Sequence, residues 1–277
     1  MKIKSGDVVL LTGASGGLGV HFVKAFAHLK VRLVLAAFPG NDLQEIRAEI
    51  EKEGCESIDM ICDLRDPVQR LKLVETALNR FGRVDVLVNN AGIEFTAFYH
   101  ELSEAQITAV LGVNLEAPMM LTRLLLPTML AQKRGHIINI SSLAGKSGPG
   151  FQEPYAATKA GLIAFTQSLR STYRSLGVSA SVIVPGFVEA GIYSRLKALT
   201  GMSAPVWLGT SQPESVVRAV MRAIESDRPD IIVNPIPIRP LLAFTALFPR
   251  GGEWLTGKIG TDNFFRRAAE IGKKTAR

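Results

Sequence analysis

A tyrosine and a lysine stand four residues apart in the stretch EPYAATKAG, as Tyr155 and Lys159. On a helix, this spacing places both side chains on one face. A free phenol titrates at about 10, so it is a poor base at neutral pH, but a nearby ammonium group stabilises the phenolate and lowers its pKa. The pair therefore indicates acid–base chemistry, although alone the spacing also fits a solvated helix face.

Two further polar residues strengthen this interpretation. Ser142 lies thirteen residues before Tyr155, at the end of a short apolar run that is predicted to be a buried strand. Its hydroxyl, at the edge of the sheet, and the phenol on the next helix can therefore converge on one carbonyl oxygen. Asn114 lies in VLGVNLEAP, inside a predicted helix, where asparagine is mildly unfavourable. It either binds a water that links Lys159 to solvent or is satisfied by the backbone, and its own context favours the backbone.

The segment TGASGGLG, residues 12–19, follows an apolar run and precedes a helical pattern. Its glycines allow a tight turn, close approach of the backbone to a pyrophosphate, and close packing of the next helix. The helix N-terminus offers N–H groups and a positive dipole end to phosphates. In this context, a phosphate-binding loop is favoured over a flexible turn.

Short β-branched runs alternate with longer helical patterns along the chain. The predicted strands are 7–13, 31–37, 57–63, 84–92, 135–142, 179–186 and 230–233. The predicted helices are 19–29, 43–53, 67–81, 104–130, 155–176 and 214–226. This order predicts an α/β fold: one Rossmann-like domain with a doubly wound parallel sheet of about seven strands and helices on both faces.

Polar groups stand where predicted strands end. Asp63 either bonds an adenine amino group or caps the helix that begins at Pro67. In NNAG, residues 89–92, Asn89 and Ala91 can present polar groups to a ribose, although such sequences are also common turns. Both positions lie at the carboxyl edge of the predicted sheet, where ligands bind in folds of this type.

The motifs together resemble the short-chain dehydrogenase/reductase (SDR) family over about residues 5–192, through TGASGGLG, CDL, NNAG, Asn114, ISS, YAATK and PGFV. The resemblance implies an NAD(P)-dependent oxidoreductase, an alcohol dehydrogenase or carbonyl reductase that needs no metal. It implies a catalytic tetrad of Asn114, Ser142, Tyr155 and Lys159. Tyr155 would be the general acid in reduction and the base in oxidation, and Ser142 would polarise the substrate oxygen.

A cofactor site is implied by the same resemblance. Its residues are Gly13, Ser15, Gly16, Gly17, Leu18, Gly19, Phe38, Asp63, Leu64, Asn90, Ala91, Gly92, Tyr155, Lys159, Pro185, Gly186 and Val188. Members that use NAD usually end the second strand with an acidic residue, but this chain has Ala37-Phe38-Pro39 there. Without a carboxylate to repel a 2′-phosphate, which Asn41 or Ser15 could bind, NADP(H) is slightly favoured over NAD(H).

The substrate side is predicted to be apolar. Candidate contact residues are Ala144, Phe151, Phe187, Ile192 and Trp207, for which simple packing is the alternative. We divide the chain into a catalytic domain, 1–234, with a cofactor-binding half to about 140 and a catalytic half from about 141, and a Pro-rich apolar and basic extension, 235–277. The extension resembles the ends of SDR members that act on lipidic or steroid-like substrates. It could cover the pocket, form a subunit contact or touch a membrane surface.

Composition excludes several classes of function. The net charge is +7, but without a run of basic residues or interleaved aromatic residues we expect no nucleic-acid partner. Two cysteines and an N-terminus without a signal-peptide pattern predict a cytoplasmic protein, with membrane contact through the extension as an alternative. We expect a homodimer or homotetramer that acts on a small carbonyl or alcohol substrate. A non-catalytic dinucleotide-binding sensor or scaffold is the alternative function.

Overall fold

Seven parallel strands form one sheet in the computed structural model, which describes residues 1–275 except the side chains of Thr256, Lys258, Ile259, Thr261, Lys274 and Thr275. The strands are β1 (Val8–Thr12), β2 (Arg32–Ala37), β3 (Ser57–Ile61), β4 (Val86–Asn89), β5 (Gly135–Ile140), β6 (Val178–Pro185) and β7 (Asp230–Val233). Their order in the sheet is β3-β2-β1-β4-β5-β6-β7. The predicted fold class, a doubly wound Rossmann-like sheet, is confirmed.

Helices cover both faces of the sheet. They are α1 (Gly17–His28), α2 (Gln44–Lys52), α3 (Pro67–Phe81), α4 (Glu104–Leu111), α5 (Ala117–Ala131), α6 (Ala144–Ser147), α7 (Glu153–Tyr173), α8 (Gly191–Thr200), α9 (Pro213–Glu225), α10 (Arg239–Leu247), α11 (Pro249–Ile259) and α12 (Thr261–Thr275). The residues between the predicted strand 135–142 and the predicted helix 155–176 thus include the short helix α6 and the start of α7.

The core has two layers because successive strand residues point to opposite faces. Val9 and Leu11 of β1 pack with Phe22 of α1 and with α9, whereas Val8 and Leu10 pack with α3 and α5. All four β1 side chains are fully buried. The strand sequences are therefore continuously apolar rather than alternating, as expected for a sheet covered on both sides.

The strand order reverses at β1, which pairs with β2 on one side and with β4 on the other. Chain connections leave β1 and β4 in opposite directions there, which opens a crevice beyond their carboxyl ends. The glycine-rich segment after β1 and the NNAG segment at the end of β4 meet at this crevice. Topology alone thus brings the two predicted cofactor segments together.

The long helix predicted over 104–130 is interrupted. A π-helical turn, Gly112–Glu116, separates α4 from α5 and contains Asn114. Within the described residues, 104–131 is the one segment long and apolar enough to cross a membrane, but more than half of it is buried inside the protein. Leu121, Leu125 and Met129 are fully buried in the sheet's core layer, so its apolar character is that of a core helix.

The C-terminal segment is helical, which the sequence analysis did not anticipate. Pro240 and Pro249 lie in the first turns of α10 and α11, where a proline costs no hydrogen bond. Helix α12 packs Phe264 and Phe265 against α8. Residues 276 and 277 of the predicted extension lie outside the described residues, and the division at residue 234 stays a prediction.

Candidate active site

A cleft of about 980 Å³ lies at the carboxyl ends of the strands. It runs from the glycine-rich loop, past β4 and β5, to α8 and the C-terminal helices. The predicted site residues that line it are Gly13, Ser15, Gly16, Gly17, Leu18, Phe38, Leu64, Asn90, Ala91, Gly92, Ser142, Ala144, Tyr155, Lys159, Pro185, Gly186, Phe187, Val188, Ile192 and Trp207. Four others, Gly19, Asp63, Asn114 and Phe151, do not line it.

The glycine-rich loop forms a tight turn at one end of the cleft. Gly13 has φ of +67°, and a Cβ there would lie 2.8 Å from the Cα of Ala91, so only glycine fits this turn. Asn90 fixes the loop to β4 because its Nδ2 donates to the carbonyl oxygens of Thr12 and Gly13, at 3.0 and 3.1 Å. No side chain caps α1, whose N-cap is Gly16, and the first residues of the helix line the cleft. Residues and cleft size therefore fit a dinucleotide.

The two serines after β5 have different tasks. Ser141 is buried, and its hydroxyl donates to the carbonyl oxygen of Lys159 at 2.8 Å, which holds α7 against the end of β5. Ser142 lines the cleft together with Tyr155, and its hydroxyl accepts from the N–H of Ala144 at 3.2 Å. The Nζ of Lys159 donates to the carbonyl oxygen of Ile140 at 2.9 Å and lies 5.5 Å from the centroid of the Tyr155 ring. The strand end and the helix thus converge as the sequence analysis expected.

The acid–base balance of this pair differs from the expectation. Burial raises the pKa of Tyr155 to about 12, although the nearby Ser142 hydroxyl partly opposes that shift. Burial also lowers the pKa of Lys159 to about 8, so its ammonium is weakened as a partner for a phenolate. Desolvation outweighs the attraction that we expected to lower the phenol pKa. The phenol is therefore protonated at neutral pH, as a proton donor must be.

A stability measurement can test the buried ammonium. The pKa of Lys159 is lower in the folded protein than in the unfolded protein, where it has the ordinary lysine value of 10.5. Between about pH 8 and pH 10.5, the unfolded state therefore binds more protons than the folded state. The cost to the free energy of unfolding of burying the charged ammonium is fully present below about pH 8, and it disappears as the pH rises to 10.5. We expect Lys159→Met to raise the free energy of unfolding at pH 7 by about 1–3 kcal/mol, and by much less at pH 10.5. Urea unfolding at both pH values measures the change in the free energy of unfolding. The control is Lys72→Met, which replaces an exposed lysine. If Lys159→Met is less stable than the wild type at pH 7, the prediction is wrong.

Asn114 is enclosed by protein. Its Oδ1 accepts from the N–H of Ile93 at 2.9 Å, and its Nδ2 donates to the carbonyl oxygen of Ile93 at 2.8 Å. A weaker contact joins its Nδ2 to the Thr158 hydroxyl at 3.3 Å. This is the backbone-satisfied arrangement that the sequence context favoured. The π-helical turn presents Asn114 to the segment after NNAG, so its part in a water relay stays a prediction.

The other predicted residues outside the cleft have protein partners. The Asp63 carboxylate accepts from Arg65, at 2.6 Å from Nη2, and this bond lowers the pKa of Asp63. Gly19 packs against the carbonyl oxygen of Gly13. The Phe151 ring packs edge to face with Phe98, at 5.3 Å between centroids. Contact of these residues with ligands stays a prediction.

Asn89, which the sequence analysis also considered for the ribose, is buried in the sheet. Its Nδ2 donates to Oδ1 of Asn139 on β5 at 2.8 Å. The neighbouring Asn90 lines the cleft instead, because successive residues of a strand point in opposite directions.

Several cleft residues were missed by sequence reasoning. Arg65 follows Leu64 at one end, and Gln152 and Arg195 lie near the catalytic pair. An apolar roof, which we define as Ile238, Leu241, Leu242 and Phe265, comes from α12 and from α10 and the residue before it. Apolar residues three and four apart were the available signal for a helix, but the sequence analysis described this segment only as a Pro-rich apolar and basic extension.

A family model for short chain dehydrogenases matches residues 7–199. The chain therefore belongs to the short-chain dehydrogenase/reductase family and is an oxidoreductase with a Rossmann-like fold. Among its relatives is the ketoacyl reductase HetN of Nostoc sp. (strain PCC 7120), 37% identical over 98% of this chain and 95% of that protein. A 3-oxoacyl-[acyl-carrier-protein] reductase of Synechocystis sp. is 33% identical over 79% of this chain and 90% of that protein.

Solved structures agree with this membership. A metagenomic short-chain oxidoreductase in complex with NADP has a TM-score of 0.69 and 33% identity, and the match covers 84% of this chain and 99% of that chain. The structure of gox2181 has a TM-score of 0.74 at 22% identity, which shows the shared fold.

Proposed function

We propose that this protein is an NADPH-dependent reductase that converts the keto group of an apolar 3-oxoacyl substrate into a hydroxyl group. The observation that carries the proposal is that the apolar roof and the side chains of Ser142 and Tyr155 line one cleft. The named activity of the ketoacyl reductase relatives supports the substrate class. The NADP in the related structure supports the cofactor.

Ser142, Tyr155 and Lys159 together provide the groups that hold and donate a proton in the reduction. When bound, the reduced nicotinamide supplies the hydride for the carbonyl carbon. The Ser142 hydroxyl donates a hydrogen bond to the substrate oxygen, which stabilises the negative charge that develops on it. Tyr155 then gives its phenolic proton to that oxygen. The nearby Lys159 ammonium stabilises the resulting phenolate until the proton is replaced.

The lining of the cleft supports an apolar chain next to the keto group. Phe187, Tyr193 and the four residues of the roof line the same cleft as Ser142 and Tyr155. Each methylene group buried in such a pocket contributes about 0.8 kcal/mol. A fatty acyl chain therefore gains binding energy in steps as it lengthens, until the pocket is filled.

A binding and turnover experiment tests the proposal. We first titrate the protein with NADPH and NADH by fluorescence, and expect NADPH to bind about tenfold or more tightly. We then measure reduction of 3-oxoacyl thioesters of four to ten carbons. We expect kcat/KM to rise by up to roughly fourfold for each methylene until the pocket is filled.

Three outcomes contradict parts of this proposal. Equal binding of the two nucleotides removes the preference for NADPH. Flat kcat/KM across chain lengths removes the apolar substrate class. Failure of either nucleotide to bind at millimolar concentration favours the non-catalytic sensor or scaffold.

A further inference from the structure

Three cationic side chains line the described part of the cleft: Arg65, Lys159 and Arg195. Lys159 lies in the catalytic centre. Arg195 is at the substrate end, where its Nη2 binds the buried Glu94 carboxylate at 2.6 Å. Arg65 lies at the opposite end, where its guanidinium carbon is 5.7 Å from the centroid of the Phe38 ring. Charge for an anionic group at the Phe38 end therefore comes from Arg65.

The backbone under Arg65 is held from inside the protein. Arg70 is almost fully buried, and its Nη1 donates to the carbonyl oxygens of Leu64 and Arg65, at 2.7 and 3.2 Å. The Nη2 of Arg70 binds Glu116 at 2.8 Å, which ties this loop to the π-helical turn. Arg65 thus extends from a fixed base towards the cleft, and its side chain is 46% exposed.

The Arg65 guanidinium retains free donor capacity. Asp63 accepts from Nε and Nη2 of Arg65, and Nη1 takes no part in that pair. A guanidinium has five N–H donors in a planar fork, so the pair with Asp63 leaves donors for a second anion. Ala37-Phe38-Pro39, at the end of β2, provides no carboxylate that would repel such an anion.

We infer that Arg65 binds the 2′-phosphate of NADPH and is the residue that selects this cofactor over NADH. The inference rests on the proposed preference for NADPH and assigns it to one side chain. A phosphate beside Nη1 gains a charge-assisted hydrogen bond without loss of the pair between Arg65 and Asp63. A 2′-hydroxyl gains no comparable interaction.

Nucleotide fragments test the assignment without any substrate. We measure by calorimetry the binding of 2′,5′-ADP, which has the 2′-phosphate, and of 5′-AMP, which lacks it. Arg65→Gln should weaken the binding of 2′,5′-ADP and NADPH about tenfold to a hundredfold, which is the range for a lost hydrogen bond to a charged group. The binding of 5′-AMP and NADH should weaken less than about twofold. Arg65→Lys should retain part of the preference, because it keeps the charge but loses the fork.

Arg80→Gln is the matched control, because Arg80 is an exposed arginine on the same half of the fold that pairs with Glu56 outside the cleft. If the wild type prefers 2′,5′-ADP and Arg65→Gln keeps that preference, the assignment to Arg65 is wrong. If the wild type does not discriminate, both the assignment and the proposed NADPH preference are wrong. If thioesters are not reduced but the preference depends on Arg65, only the proposed substrate is wrong.

Discussion

Tyr155→Phe is expected to lower the turnover number for thioester reduction by about a thousandfold, within the range for loss of a general acid. The phenol lines the cleft together with Ser142, and its pKa of about 12 keeps it protonated at neutral pH. Phenylalanine retains the ring beside Lys159 but has no proton to give. Steady-state kinetics with saturating NADPH measures the loss.

Nucleotide binding separates this effect from misfolding. NADPH affinity of Tyr155→Phe should remain within about threefold of the wild type, because the residues that cradle the phosphates are unchanged. Tyr99→Phe removes the hydroxyl of an exposed tyrosine outside the cleft and should leave turnover unchanged. Turnover within tenfold of the wild type for Tyr155→Phe would show that another group donates the proton.

Phe264→Ala is expected to be the most damaging single change in the C-terminal helices, with a loss of about 3–5 kcal/mol of packing energy at α12. Phe264 is 1% exposed, and its ring centroid lies 5.6 Å from that of Phe187 and 5.3 Å from that of Phe265. Both neighbours line the cleft, so loosening of α12 should disturb the pocket as well as the helix. We expect kcat/KM for ten-carbon thioesters to fall at least about tenfold, and four-carbon thioesters to be much less affected.

The control is Phe248→Ala, which removes an exposed phenylalanine from the same C-terminal segment. Phe248 is not among the residues that pack with Phe264 and Phe265 against α8. Hydrogen exchange of α12 amides should become faster in Phe264→Ala and not in Phe248→Ala. Equal losses for four-carbon and ten-carbon substrates would mean that α12 supports the catalytic centre rather than the acyl pocket.

Much of the fold could be predicted because its signals are local and continuous. Buried runs such as VVLLT of β1 are apolar on both faces, and their alternation with helical patterns specifies a parallel sheet. The predicted catalytic residues were also accessible from the sequence, since Tyr155 and Lys159 share a helix face and Ser142 follows strand β5. Spacing cannot reveal how strongly burial shifts a pKa, so the protonation state of Tyr155 required the packed structure.

The residues missed by sequence reasoning depend on long-range contacts. Arg65 was unremarkable in CDLRD, because its place beside Phe38 arises from the pairing of β2 with β3. The roof was missed for a different reason. No secondary structure was predicted for this Pro-rich segment, whereas Pro240 and Pro249 each stand in the first turn of a helix.

The π-helical turn at 112–116 also sets the rotational phase between α4 and α5. Buried side chains recur at every fourth position, at Ala109, Val113, Ala117, Leu121, Leu125 and Met129. Around an uninterrupted α-helix, such a series drifts by about 40° at each step, so its last member would point nearly opposite to its first. The π-helical turn contains one residue more than an α-helical turn, so it reduces the accumulated rotation between the first and last members of the series by about 100°. The number of residues in this segment is therefore fixed more strictly than their identity, since a deletion of one would rotate the two half-helices out of phase.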